Sequence, residues 1–559
     1  MQILAFSLLI VALVTQAGQA AAQTDALQRL LVAEDARGTG AEGLQPLTAA
    51  LSGSDTLMRR LAVRGLGRLQ RPELGKQLLP LLADAVPAVR VEAANAIAQS
   101  LRRTKRSEPD GSDNAIGTRE AAAALIGALG READPRVVDA LGQSLGRLPL
   151  PDTAAARTAE DAIRARFSTS QSPGLAHGLY TLARARRATG TLTPATIELL
   201  RRSALRSSDT VVRRLSLLTL AAAGGLDSVT ALRAFRDRDA ESRRMTLRGA
   251  GALSASLRAA LVRQGMRDPD RIVRTEVAAT ARLGEGVPDC RPILALTRDR
   301  EPYVALTAID SLGSGCADVA GAARALARLV TARVVTGPAD HRWQQGAHAL
   351  LALARLDTAA ARPLLPATAS SGRAEVRAYA ARAAALLRER SLLLGLADDD
   401  DHNVQEAAIA GLASAAGRDA NSVYIRALGS SGNQVALAAA TALEGTTDTA
   451  AALSALLQAF DDLSARRSEN ARDPRVAVLT RIGDLGSAAT ASRLTPYLAD
   501  FDTTVAVQVA TLLSKWRGST VSPRPAPLPI RAEPLARLFT SPAARLRVTM
   551  APSSGGGSF

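Results

Sequence analysis

Aromatic side chains are scarce here, at 3% of 559 residues. That argues against a large β-domain, whose core would draw on rings, and suits helices packed through Ala and Leu. Lysine is nearly absent, confined to Lys76, Lys105 and Lys515, so the net charge of +16 rests on arginine. Only two cysteines occur, Cys290 and Cys316, and no C-x-x-C pairs them. No G-x-S-x-G nucleophile elbow, P-loop or H-E-x-x-H is present, so those chemistries have no support in the sequence. Beyond the first residues, no apolar run is long enough to suggest a membrane span.

What is present is repetition. Asp84–Ala94 reads DAVPAVRVEAA, Asp268–Ala278 reads DPDRIVRTEVA, and Asp401–Ala408 reads DHNVQEAA. Asp209, Asp239 and Asp270 are 30 and 31 residues apart, and Val273 and Val304 are 31 apart. Weaker copies begin at Asp55, Asp134, Val376, Asp473 and Asp502. A unit of about 30 residues accommodates two short helices and two turns. The first carries Val-Arg; the second is a Leu-rich amphipathic run, as at Leu74–Leu82 or Val319–Val330. The Asp before each Val-Arg helix is a good N-cap, because its carboxylate accepts an orphan backbone N–H. Pro87, Pro135 and Pro302 suit the first helical turn. The Val and Ala that follow recur at helical spacing and let neighbouring helices pack closely.

The acidic-x-x-Pro-x-Val-Arg-x-x-Ala-Ala pattern resembles HEAT-like repeats of the short bacterial type related to phycobilisome-lyase repeats, over roughly residues 27–515. The resemblance implies an all-α fold, a right-handed α-solenoid of stacked helix pairs, over residues 25–516. The expected role of Arg59, Arg90, Arg213, Arg274 and Arg377 is structural, each pairing with an acidic residue of the next repeat. Gln405 and Val138 replace the arginine in two copies, so those contacts cannot be uniform. The lyase relatives bind bilins, but a chain so poor in aromatics offers little for a chromophore.

The arginine excess has two readings: a basic surface for polyanions, or arginine spread evenly over the repeats. The second is preferred, because no block of like charge stands out. The nearest to a cluster is Arg102–Arg106. At the N-terminus, Ile3–Val14 is a short apolar core and Ala20–Ala22 offers a small-residue cleavage site, which reads as a signal peptide over residues 1–22. The expected location is therefore periplasmic or secreted, with membrane contact only through that peptide and no nucleic acid partner. In an oxidising compartment Cys290 and Cys316 could form a disulfide, or remain two unrelated thiols.

Thr104–Thr118 reads as an inserted polar loop, Gln171–Leu179 as another turn, and Thr336–Trp343 as a break in register. Residues 518–534 are dense in proline and read as a linker. Residues 543–559 then show strand-like alternation, a short extended or β tail. The stretch Arg547–Phe559 resembles the opening of a cyclophilin-type peptidyl-prolyl isomerase domain, which would make this chain a client-binding region ahead of a catalytic domain. An ordinary flexible tail is the alternative. The family's catalytic residues have no counterpart here, so no catalytic, cofactor or metal residue is assigned.

Two further clusters fall short of a metal site. His341 and His348 are seven apart and could share a helix face, but Asp340 is the only nearby third ligand. Asp398–Asp401 could draw a hard cation, yet it lacks the alternating spacing of a calcium loop. The reading is an exported scaffold whose concave face, lined by the second helices, takes a protein or peptide partner.

Overall fold

The computed structural model describes residues 24–35, 40–101, 112–186, 192–283, 289–316, 318–336 and 342–522. Among them the fold is all-α, with no strand, and is a solenoid of stacked HEAT-like helix pairs. The chain divides into two compact units at Asp318 and Val319.

In the first unit the Val-Arg helices include Thr56–Arg68, Pro87–Ser100, Pro135–Arg147, Thr210–Ala223, Ala240–Arg248, Arg271–Thr280 and Pro302–Leu312. Pro173–Ala185 occupies the same row. Each packs on the next, forming one continuous layer. Companion helices such as Pro194–Arg206, Ser228–Ala234 and Ala255–Gly265 form a second layer, in which neighbours touch only sparsely. In the second unit Ala374–Leu387, His402–Ala415, Asn433–Ala442, Arg472–Leu485 and Thr503–Arg517 form the corresponding packed row.

Local chemistry explains the starts of these helices. Asp55 accepts hydrogen bonds from the N–H groups of Leu57 and Met58, and Asp209 from those of Val211 and Val212. Asp239, Asp270, Asp401 and Asp502 cap their helices in the same way. Pro87, Pro135 and Pro302 stand at the helix starts. The core between the rows is Val, Leu and Ala: Val63, Val89, Val273, Val304, Val376 and Val404 are each at most 1% exposed.

The closest approach in the row is between Pro135–Arg147 and Pro173–Ala185. A Cβ on Gly146 would lie 2.3 Å from the Gly178 carbonyl oxygen, and one on Gly178 would lie 2.3 Å from the Gly142 carbonyl oxygen. Only glycine at these facing positions lets the two backbones touch.

Three expectations are corrected. Residues 112–118 are the first turns of the helix Ser112–Arg131 rather than loop, since TREAAAALI propagates helix from a polar start. Pro173–Ala185 is a helix capped by Ser172, not a turn; Pro173 sits at its first position, where its missing N–H costs nothing. Asp473 is not an N-cap: it lies within the helix Arg472–Leu485, where Arg472 pairs with it at 3.1 Å. The signal-peptide residues 1–22, most of the Pro-rich linker, His341 and the tail at 543–559 lie outside the described residues.

Candidate functional site

The repeat arginines do one job in the same geometry. Arg274 Nε and Nη2 donate to the two carboxylate oxygens of Asp299, at 2.7 and 3.1 Å. Its Nη1 donates to the carbonyls of Asp268 and Pro269, at 2.9 and 3.0 Å. One guanidinium thus closes its own preceding turn and grips the next one. Arg59 does this with Asp84, Arg90 with Glu132, Arg213 with Asp237 and Arg377 with Asp399. The fork of the guanidinium matches a carboxylate through two parallel bonds, which fixes orientation as well as attraction.

The carboxylates are themselves anchored. Asp299 Oδ1 accepts from Glu301 N–H at 2.9 Å, Asp237 from Asp239 N–H at 2.8 Å, and Asp399 from Asp401 N–H at 2.9 Å. The next arginine then takes a carbonyl of the same turn. From Arg213 through Asp237, Arg243, Asp268 and Arg274 to Asp299, the contacts form an unbroken relay along three repeats.

Arg243 and Arg475 belong to this ladder although the sequence reading did not single them out. Arg243 grips Asp268 with both contacts at 2.7 Å. It stands four residues after its cap, as Arg213 does after Asp209, but Arg-Arg-Met hides the Val-Arg signature. Arg475 is fully buried; its Nη1 donates to Asp500 at 2.8 Å, and its guanidinium carbon lies 4.6 Å from the Phe501 ring centre. It is the fourth residue of its helix, as Arg274 is, and the misplaced cap at Asp473 concealed that register.

Where arginine is missing the ladder is rebuilt from other parts. Gln405 Nε2 donates to the Asp399 carbonyl at 2.6 Å, and Ser430 Oγ donates to Gln405 Oε1 at 3.3 Å. At Val138 the site is apolar and buried, and the carbonyl of Glu132 accepts from Arg166 of the helix Thr153–Thr169 at 2.7 Å.

The pairing shifts ionisation. The Arg90 guanidinium holds the Glu132 carboxyl below the ordinary carboxylate range, against the opposing effect of burial. Arg377 does the same to Asp399. Glu276 moves the other way, pushed up by burial in spite of Arg244.

Beside the ladder, the sulfurs of Cys290 and Cys316 lie at bonding distance, with Cα atoms 5.7 Å apart, and both residues are buried. His348 Nε2 is 2.8 Å from the Tyr379 hydroxyl, and His402 Nε2 is 3.1 Å from Ser431 Oγ. The acidic run is divided among separate tasks: Asp399 faces Arg377, Asp401 caps its helix, and Asp398 lies 3.8 Å from Arg426. Among the described residues, no group of His, Cys, Asp and Glu is placed to hold a metal ion, and no helix is long and apolar enough to cross a membrane. Depressions among the described residues include an open one of about 600 Å³ lined by Arg258, Val262, Met266, Leu283 and Arg291.

Residues 44–146 match the family model for HEAT repeats. No curated protein sequence matches the chain. Among solved structures, the Kap95:Nup1 complex aligns at a TM-score of 0.53 with 12% identity, over 85% of this chain and 74% of that one. Yeast importin-beta aligns at 0.48 with 14% identity, over 85% and 67%. Importin beta in ammonium sulfate aligns at 0.47 with 14% identity, over 92% and 76%. At such identity the first of these supports the helical-repeat fold alone.

Proposed function

We propose that this chain is an exported scaffold that binds a protein or peptide along its repeat stack. The observation that carries this reading is the ladder. It spends the characteristic charged residues on holding repeat to repeat, which leaves the lateral faces of each unit free as a regular surface. In the first unit the Val-Arg helices contact one another more extensively than their companions do, and a layer of helices curves toward its more closely packed side. That favours the Val-Arg row for the partner, in place of the Leu-rich row assigned from sequence. Residues 3–22 support export.

The test places a photo-crosslinking residue at Ala279, exposed on the Val-Arg row, or at Ala259, exposed on the companion row. The full chain is expressed in its own host and adducts are identified by mass spectrometry. A saturable adduct with a defined protein at Ala279 is expected. Adducts at neither position would overturn the scaffold reading, and adducts at Ala259 alone would return the partner to the Leu-rich row. Recovery of the chain in the cytoplasm with residues 1–22 intact would overturn export.

A further inference from the structure

Two sets of arginine alternate between residues 206 and 300. Arg213, Arg243 and Arg274 each face a carboxylate of the next turn. A second set does not. Arg206, at the end of its helix, and Arg236, Arg267 and Arg298, in the turns after theirs, each stand three residues before the N-cap of the next Val-Arg helix; they are 30, 31 and 31 residues apart, all exposed and, among the described residues, none in an ion pair. Arg238 and Arg300 add exposed charge to two of these turns.

The acidic residues of the same turns, apart from Glu301, are committed elsewhere. Asp237, Asp268 and Asp299 are held by Arg213, Arg243 and Arg274. Asp209 and Asp270 cap their helices, and Asp239 caps Ser242 while pairing with Arg214. Acidic charge is thus neutralised within the fold while basic charge faces solvent. The even spread of arginine expected from sequence does not hold here: residues 206–300 carry a basic ridge. The equivalent turn of the second unit has the opposite character, with Asp398-Asp399-Asp400-Asp401 standing where Arg236-Asp237-Arg238-Asp239 stands in the first. The repeat plan therefore does not require arginine at the flanking positions.

We propose that this ridge binds an acidic segment of a protein partner in extended conformation. The inference rests on the scaffold reading above and gives the partner its chemistry. Successive helices in the row pack about 8–10 Å apart, and an extended peptide advances about 3.3 Å per residue. Carboxylates at about every third residue therefore meet successive turns. Apolar side chains stand beside them at the starts of the helices that follow, with Tyr303 64% and Val211 44% exposed, so a peptide mixing acidic and apolar residues fits better than a uniform polyanion. A single-stranded nucleic acid would want stacking rings at several turns, and among the described residues Tyr303 is the one exposed ring beside these turns, Phe235 being buried.

The experiment measures fluorescence anisotropy of labelled probes with the full chain. One probe is a peptide of about fifteen residues with glutamate at every third position; a second has the same composition with the glutamates in one block. A third is a single-stranded oligonucleotide. The variant is R206A/R236A/R267A/R298A, which leaves every ladder contact in place. The spaced peptide is expected to bind more tightly than the blocked one and to weaken with salt. The variant should bind it at least about tenfold more weakly, four exposed charge contacts being lost, with an unchanged thermal midpoint. Equal affinity of variant and native chain overturns the ridge. Preference for the oligonucleotide, lost in the variant, overturns the acidic peptide in favour of nucleic acid. Binding of no probe overturns this inference, while the crosslinking at Ala279 and Ala259 still decides the scaffold reading.

Discussion

Gln405 and Ser430 replace an arginine and a carboxylate together, and they still meet: Ser430 Oγ donates to Gln405 Oε1 at 3.3 Å. Ser430 Oγ also accepts from the N–H of Gly432 at 3.2 Å, the job that Asp299 Oδ1 performs for Glu301. The two sites have exchanged a charged clasp for a neutral one without changing its connections.

That exchange can be measured. Arginine alone at 405 would face a hydroxyl, and aspartate alone at 430 would face an amide, so Gln405→Arg and Ser430→Asp should each destabilise or do nothing. The double variant should be more stable than the sum of its parts by roughly 0.5–3 kcal/mol, the range of coupling for contacting residues. A double-mutant cycle on urea midpoints reads this directly. A coupling energy of zero would show that the ladder geometry is not shared by this repeat.

Gly146 and Gly178 face each other across the tightest helix contact. Gly146→Ala would drive a methyl to 2.3 Å from the Gly178 carbonyl oxygen. The expected cost is about 1–3 kcal/mol, as for other overpacked sites. The exposed Gly130, with nothing near its Cβ, serves as the control, where alanine should be neutral or stabilising. Thermal unfolding of the two variants makes the comparison.

The ladder predicts the direction of acid sensitivity. Glu132 and Asp399 have carboxyl groups held below the ordinary range by Arg90 and Arg377. A lowered folded-state pKa means that the stabilisation is complete above the unfolded value, about 4, and is lost as pH falls through the folded values. Glu276 opposes this, since its raised pKa means that stability is lost as pH rises through its folded value. Urea midpoints should therefore fall below about pH 4, and Arg377→Ala should flatten that fall. An unchanged acid limb in Arg377→Ala would refute the assignment.

The Cys290–Cys316 contact closes 26 residues of sequence. A disulfide there should contribute about 3–4 kcal/mol by restricting the unfolded chain. The native protein, unfolded without reductant, should show no free thiol to a thiol reagent, and reductant should lower the thermal midpoint. Two reactive thiols would reject the pairing.

Much of this was legible in the sequence because the repeat signals are local. A cap such as Asp270, a proline such as Pro302 and a Val-Arg step announce themselves within one turn of helix. The pairing of Arg59, Arg90, Arg213, Arg274 and Arg377 with acidic residues followed from the same periodicity. What stayed hidden depends on registers that local patterns do not fix. Arg475 sits two residues from Asp473, which imitates a cap, and only the helix start at Arg472 places it correctly. Ser172 and Pro173 read as a turn, although together they are a helix start. The ridge of Arg206, Arg236, Arg267 and Arg298 was invisible for another reason. Composition counts charges, whereas their consequence depends on which of them already have partners.

The ladder also has a mechanical side. In the second unit the charged clasps Arg377–Asp399 and Arg475–Asp500 flank two repeats that lack one: Gln405–Ser430 is neutral, and the buried Ala436 stands where the next arginine would. Links pulled in series yield at the softest, and these two carry no charge. Single-molecule stretching should register its first step between residues 402 and 442, and a first step elsewhere would contradict this. A partner that tugs on such a chain would meet a fuse whose position is written by two substitutions.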